Sequence, residues 1–184
     1  WWFYPSASSA NVDRYVIYNY QEKAWYYGAL TRSAWVDRGI SPFPVAAALD
    51  GHLYYHEFGS DDGSQNPPTA IPSFIESSQM SLGAGDSFVF LTRLIPDITF
   101  AGSTASSPTV SMTLESRQFP GADYTGTNIN AVTRSATTPV EQFTDQVYVR
   151  LRGRSFSLKI NSTTTGVEWR LGTPRVDIRP DGRR

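Results

Sequence analysis

Nearly every apolar run in this chain is short, and most alternate with polar residues at every second position. Val110, Met112 and Leu114 have polar neighbours, as do Val147, Val149 and Leu151. After Gly153 the apolar parity switches to Phe156, Leu158 and Ile160, and Val167, Trp169 and Leu171 alternate again before Val176 and Ile178. A period of two is the signature of a half-buried strand, whereas a helix needs apolar residues at a period near 3.6. No stretch shows a convincing helical period, so the chain is expected to be all-β. A parity switch at a glycine predicts a β-bulge or a tight bend. Ser87 to Ile95 is apolar at both parities, as expected of a central strand covered on two faces.

Composition agrees with sheet. Aromatic residues make up 14% of the 184 residues and charged residues 18%, and aromatic side chains fit a pleated, half-buried surface. There is no cysteine, which excludes disulfides, zinc–thiolate sites and thiol nucleophiles. No apolar run approaches the ~20 residues a membrane-spanning helix needs, so no membrane insertion is expected. The chain opens on Trp1 without an initiator methionine or a signal-peptide pattern, and is therefore expected to be a processed product or part of a longer chain.

The pattern divides the chain. Strands are expected at Arg14 to Tyr20, Trp25 to Leu30, Val45 to Leu49 and His52 to Phe58. Asp50-Gly51 between the last two is a hairpin signal, read as a type I′ turn. Four consecutive antiparallel strands form the unit of a β-propeller blade. Residues 1–58 are thus read as a propeller-blade-like β-meander belonging to a larger domain. Residues 59–72 (GSDDGSQNPPTAIP) read as a linker. Residues 73–184 read as an antiparallel β-sandwich or jelly-roll-like domain, with a turn at Gly83 to Asp86 and an irregular polar stretch from Pro120 to Ala136.

Chemistry is sparse. His52 and His56 share a parity about 13 Å apart at ~3.3 Å per residue, too far to bind one metal together. Asp61-Asp62-Gly63-Ser64 resembles a fragment of a calcium loop but lacks the remaining ligand spacing, and reads as a solvated turn. Glu76, Asp86, Asp97 and Glu115 are the candidate carboxylates for glycoside hydrolysis, a weak signal in a chain of this size. Asn161-Ser162-Thr163 matches a glycosylation sequon that matters only in a secreted protein. No catalytic residues, metal ligands or cofactor are expected, and the chain reads as a structural or binding component rather than an enzyme.

The basic residues are unevenly placed. From Tyr148 onward there are nine Lys and Arg against three Asp and Glu; before it there are seven against fourteen. Arg150, Arg152 and Arg154 are expected to form a basic ridge on one strand, joined by Arg170 and Arg175. Such a ridge can neutralise phosphates without reading sequence, or pair with the acidic part of a neighbouring copy. Arg183 and Arg184 end a short polar tail.

The stretches DRYVIYNYQEKAWYYGALTRSAW, PVAAALDGHLYYHEFG and VYVRLRGRSFSLKI, followed by GVEWRLGTPRVDIRPDGRR, resemble the C-terminal part of tail hub proteins of short-tailed bacteriophages, the packaged-DNA stabilisation and tail nozzle proteins. The resemblance runs over most of the chain and is strongest at residues 12–58 and 143–184. It implies a virion structural protein, made in the host cytoplasm and assembled as a sixfold homo-oligomeric ring below the portal. Its partners would be the portal or adaptor, other tail proteins, and packaged DNA held non-specifically and ejected through the channel. The excess of Trp and Tyr motivates the alternative of a carbohydrate-binding or receptor-binding β-domain, because aromatic faces stack on sugars.

Overall fold

The computed structural model describes residues 1–81, 85–119 and 134–182. Leu82 to Ala84, the stretch from Pro120 to Thr133, and Arg183 and Arg184 lie outside the described residues. The protein is all-β: among the described residues there are eighteen strands and no helix. It divides into two compact units, Trp1–Gly59 and Ser60–Arg184.

The first unit contains two antiparallel meanders. One joins β1 (Trp2–Tyr4), β2 (Arg14–Asn19) and β3 (Ala24–Ala29); the other joins β4 (Ala34–Val36), β5 (Val45–Ala47) and β6 (Leu53–Tyr55). The single four-stranded meander expected over residues 12–58 is therefore two three-stranded sheets, and neither has the four strands of a propeller blade. The physical cause lies at Leu30 to Ser33. The Leu30 N–H donates to the Asp13 carbonyl, ending the first sheet, while the Ser33 N–H donates to the Ala47 carbonyl, opening the second. The β1–β2 loop is tied by the Asp13 carboxylate, which accepts the Ser6 N–H and the Ser6 hydroxyl at 2.7 Å each. These donors stabilise the charged form and hold Asp13 below its ordinary pKa.

The Asp50-Gly51 hairpin exists, but its turn is not type I′. The Ala48 N–H donates to His52 O and the Gly51 N–H to Ala48 O, which makes Leu49-Asp50-Gly51 a three-residue loop. Only Gly51 of the central pair has positive φ, at 86°, as a type I turn closed by a left-handed residue requires. Asp50 accepts the Tyr54 hydroxyl at 2.6 Å and the His52 N–H at 2.9 Å, which likewise lowers its pKa.

The second unit begins within the expected linker. Asp61–Asp62 (β7) and Thr69–Ala70 (β8) pair as a small hairpin, and the Asp61 carboxylate accepts the Gly166 N–H at 2.8 and 2.9 Å. A polar, proline-containing segment is thus bonded into the unit that follows it. The remaining strands are β9 (Ser73–Glu76), β10 (Met80–Ser81), β11 (Val89–Ile95), β12 (Ile98–Thr99), β13 (Thr109–Arg117), β14 (Arg134–Glu141), β15 (Val147–Gly153), β16 (Ser155–Ser162), β17 (Arg170–Leu171) and β18 (Arg175–Pro180).

They form a β-sandwich. One sheet runs β14-β13-β16, with β9 and β10 both paired to the far side of β16; the other runs β15-β11-β18. The inner faces meet in one core containing Leu91 and Leu94 of β11, Val110, Met112 and Leu114 of β13, Val147, Val149 and Leu151 of β15, and Phe156 and Ile160 of β16. Burying each large aliphatic side chain contributes about 1.5–3 kcal/mol. A small β12–β17 pair adds Ile98 and Leu171 against this core.

Two irregularities shape the sandwich. β11 is not covered on both faces as its composition suggests. The register shifts between Leu91 and Arg93 against both neighbours, with Thr92 the extra residue against β18 and β15 carrying the extra residue on the other side, so Leu91 and Leu94 both turn inward, each 1% exposed. The bulge converts a two-parity apolar run into a one-sided strand. The second irregularity is the parity switch at Gly153, which is a corner between sheets. β15 ends there in one sheet and β16 starts at Ser155 in the other, with the Arg154 N–H donating to Arg117 O at 2.7 Å. A Cβ on Gly153 would lie 2.9 Å from both the Arg117 carbonyl oxygen and the Ser116 Cβ. Because Ser116 is buried and one of those atoms is backbone, no flexible group can yield. Gly153→Val is expected to destabilise the second unit by about 1–3 kcal/mol or more through overpacking, read as a lower urea midpoint at unchanged slope.

Candidate assembly and ligand surfaces

Of the five arginines singled out from the sequence, Arg150 and Arg152 lie on β15, Arg154 at the corner after it, Arg170 on β17 and Arg175 on β18. Arg150 projects from β15 on the outward face, exposed, beside Tyr148 and across from the Phe90 and Thr92 side of β11. Arg152 also leaves β15 outward but is engaged: its guanidinium binds the Asp181 carboxylate and lies 4.0 Å from the centre of the Phe88 ring. Arg154, at the sheet corner, approaches the same ring at 4.7 Å. Phe88 is 7% exposed, so two cations cover one buried ring, each contact worth about 0.5–2 kcal/mol. Arg170 belongs to β17 and pairs with Glu168 at 3.2 Å. Arg175 opens β18, and neither it nor Arg150 has an ion-pair partner among the described residues.

The sandwich brings to this outward face two residues that the strand pattern did not single out. Phe90, Arg152 and Arg179 lie opposite one another across β11, β15 and β18, and so share a face. Arg93 stands in the next outward position, bound to Asp177 at 2.5 Å and to Gln146 at 3.1 Å. Gln146 in turn donates to the Tyr148 hydroxyl at 2.8 Å. The face therefore carries Arg93, Arg150, Arg152, Arg175 and Arg179 against Asp177 and Asp181, interleaved with Phe90 and Tyr148. Arg93 was hidden in the sequence because the bulge at Thr92 reverses its expected direction.

A second surface lies on the first unit. Trp2, Val16 and Tyr27 are direct cross-strand partners, as are Tyr18 and Trp25 two residues on, so all share one face of the β1-β2-β3 sheet. Trp2 and Trp25 stack with ring centres 6.1 Å apart, and Tyr18 and Trp25 lie at 4.6 Å. Trp2, Trp25 and Tyr27 remain 57%, 64% and 65% exposed. The opposite face is covered differently: Trp1 and Phe3 pack against Trp35 of β4 at 5.2 and 5.7 Å, and Trp35 packs on His56 at 4.6 Å.

The weaker candidates have local roles. His56 accepts from Arg32 Nε at 3.0 Å, and His52 sits in the hairpin turn beside Asp50. Asp62 accepts the Ser64 N–H, closing its own turn. Glu76 pairs with Lys159 at 3.1 Å, Asp97 accepts the Thr173 N–H at 2.7 Å, and Asp86 accepts from the Ser87 hydroxyl at 3.1 Å. Glu115 stands on β13 opposite Ser135 and Ser157. Asn161 of the sequon lies within β16, between Ser111 and Phe74 on the flanking strands. Among the described residues no three His, Asp or Glu side chains gather closely enough to hold a metal ion. In comparisons with known proteins, no family model matches this chain and no curated protein sequence matches it.

Proposed function

We propose that this chain is a virion structural protein, a subunit of a tail hub or nozzle ring of a short-tailed bacteriophage that retains packaged DNA and lines its exit channel. The observation that carries the reading is the outward face of the β15-β11-β18 sheet. Five arginines stand there against two carboxylates, on the outward face of a three-stranded sheet. Fixed cations on such a surface attract the phosphate backbone while offering no groove-shaped element to read bases. That is the chemistry a DNA conduit needs, and it joins the resemblance of residues 12–58 and 143–184 to tail hub proteins. Large exposed apolar side chains on both units, such as Trp25, Leu53, Ile75 and Met80, are what a subunit covers by assembly.

Quantitative mass spectrometry of purified particles tests the reading directly. The chain, alone or within a longer parent, is expected in fixed ratio to the portal; its absence from particles would overturn the proposal. At the level of the face itself, Arg150→Gln is expected to weaken duplex DNA binding uniformly across sequences. It should reduce the slope of log K against log salt by about 0.9, the contribution of one phosphate contact.

A second reading is favoured by one specific observation, the Trp2–Tyr18–Trp25–Tyr27 face. Neighbouring, exposed rings on one sheet face suit stacking on the apolar faces of sugar rings, and a host-surface glycan is the corresponding ligand. Trp25→Ala is expected to abolish quenching of tryptophan fluorescence by added polysaccharide. Quenching that is absent from the unmodified protein would dismiss this reading.

A further inference from the structure

β18 is an edge strand whose apolar residues point inward and are nevertheless uncovered. Val176 and Ile178 lie directly opposite Leu94 and Leu91, each 1% exposed, and so share the core face of their sheet. Yet Val176 is 39% and Ile178 42% exposed. The facing sheet shows the same pattern. Ile75 of β9 lies opposite the fully buried Ile160, and Met80 of β10 opposite the buried Phe156, but Ile75 and Met80 are 47% and 44% exposed. β15 lies over β13 and β14, which closes the sandwich on that side. On the other side, β18 and the β9–β10 edge leave the core open.

The free side of β18 also offers backbone groups. The Asp181 N–H donates to Phe88 O, towards β11. By strand alternation the groups of Arg179 and Asp177 point the same way, and those of Val176 and Ile178 point outward. Pro180 falls at an outward position, where its missing N–H leaves the β11 ladder intact.

We infer that β18 pairs antiparallel with β18 of a second copy of this chain, in the register centred on Ile178. The argument is charge complementarity along RVDIRPD. In that register Ile178 meets its own copy, Val176 meets Pro180, Asp177 meets Arg179, and Arg175 meets Asp181. Every charged residue on the outward face then opposes the opposite charge. Shifting the register by two residues either way destroys this: centring on Asp177 opposes Asp177 to itself and Arg175 to Arg179, and centring on Arg179 opposes Arg179 to itself and Asp177 to Asp181. Facing like charges are destabilising and facing opposite charges stabilising, so this register is favoured over its two neighbours. The added strand would also continue the sheet over the open core and cover Val176 and Ile178.

The pairing is isologous, the same surface on both copies, whereas neighbours in a cyclic ring meet through different surfaces. It therefore stands apart from the ring reading: it joins two free copies, or two rings. The test uses the full chain, which has no native cysteine. In a hydrogen-bonded antiparallel pair the Cα atoms lie about 5.5 Å apart, within the range a disulfide spans. Ile178→Cys is expected to give a covalent dimer as the main product of mild oxidation, while Leu53→Cys, exposed on the first unit, stays uncrosslinked. In sedimentation equilibrium without oxidation, Arg179→Asp is expected to weaken the dimer about tenfold or more, since it creates two facing carboxylate pairs, while Arg179→Lys preserves it. Failure of Ile178→Cys to crosslink above the Leu53→Cys control, whether the protein is monomeric or a ring, would overturn the inference. A ring that forms without this crosslink would leave the ring reading standing.

Discussion

The passage of the chain from β15 to β16 at Gly153 and Arg154 is the constraint on which the second unit rests. Two strands consecutive in sequence lie in different sheets, so the turn between them must bring one sheet onto the other within two residues. That requires the backbone of Gly153 to pass against Ser116 and Arg117 of β13, closer than any side chain permits. Once the corner is made, the inward residues of β15 face those of β13, β14 and β16, and one core follows. Arg154 leaves the corner over Phe88, where Arg152 also arrives, so the basic character of this segment is spent partly on packing. Long cationic side chains covering a ring contribute through contact area as well as charge.

The bulge in β11 is the second determinant. It places Leu91 and Leu94 together in the core and sends Arg93 outward to Asp177 and Gln146. Without it, the outward face would lose one cation and the core one leucine. The basic outward face of the sandwich is thus a consequence of the same irregularity that completes its interior.

Both units leave apolar surface uncovered. The sandwich closes on one side and stays open on the other, and the β1-β2-β3 sheet packs one aromatic face while leaving the other bare. Exposed sheet edges invite pairing. The described carboxylates and histidines mostly hold turns or pair with nearby cations.

How much of this was legible depended on distance along the chain. Period-two alternation at Val110–Leu114 and Val147–Leu151 depends on each strand having a wet and a dry face, a local property, and so all-β character and most strand positions could be read from the residues alone. The bend at Gly153 was legible because it leaves a parity switch. The Asp50-Gly51 hairpin was legible too, though its loop proved one residue longer, since Asp50 could close the turn with its side chain without adopting positive φ. Partner choice was not legible. Trp2–Tyr4 pairing with β2, the split of the first unit into two sheets, and the docking of Asp61 onto Gly166 all depend on contacts between residues far apart in sequence. The same holds for the arginines: their strand was visible, but which of them a ring or a carboxylate would engage was decided only when Phe88 and Asp181 were folded against them. Local alternation determines which residues face inward; only tertiary packing determines what they face, because that choice is made by shape and charge across chain segments that the sequence places far apart.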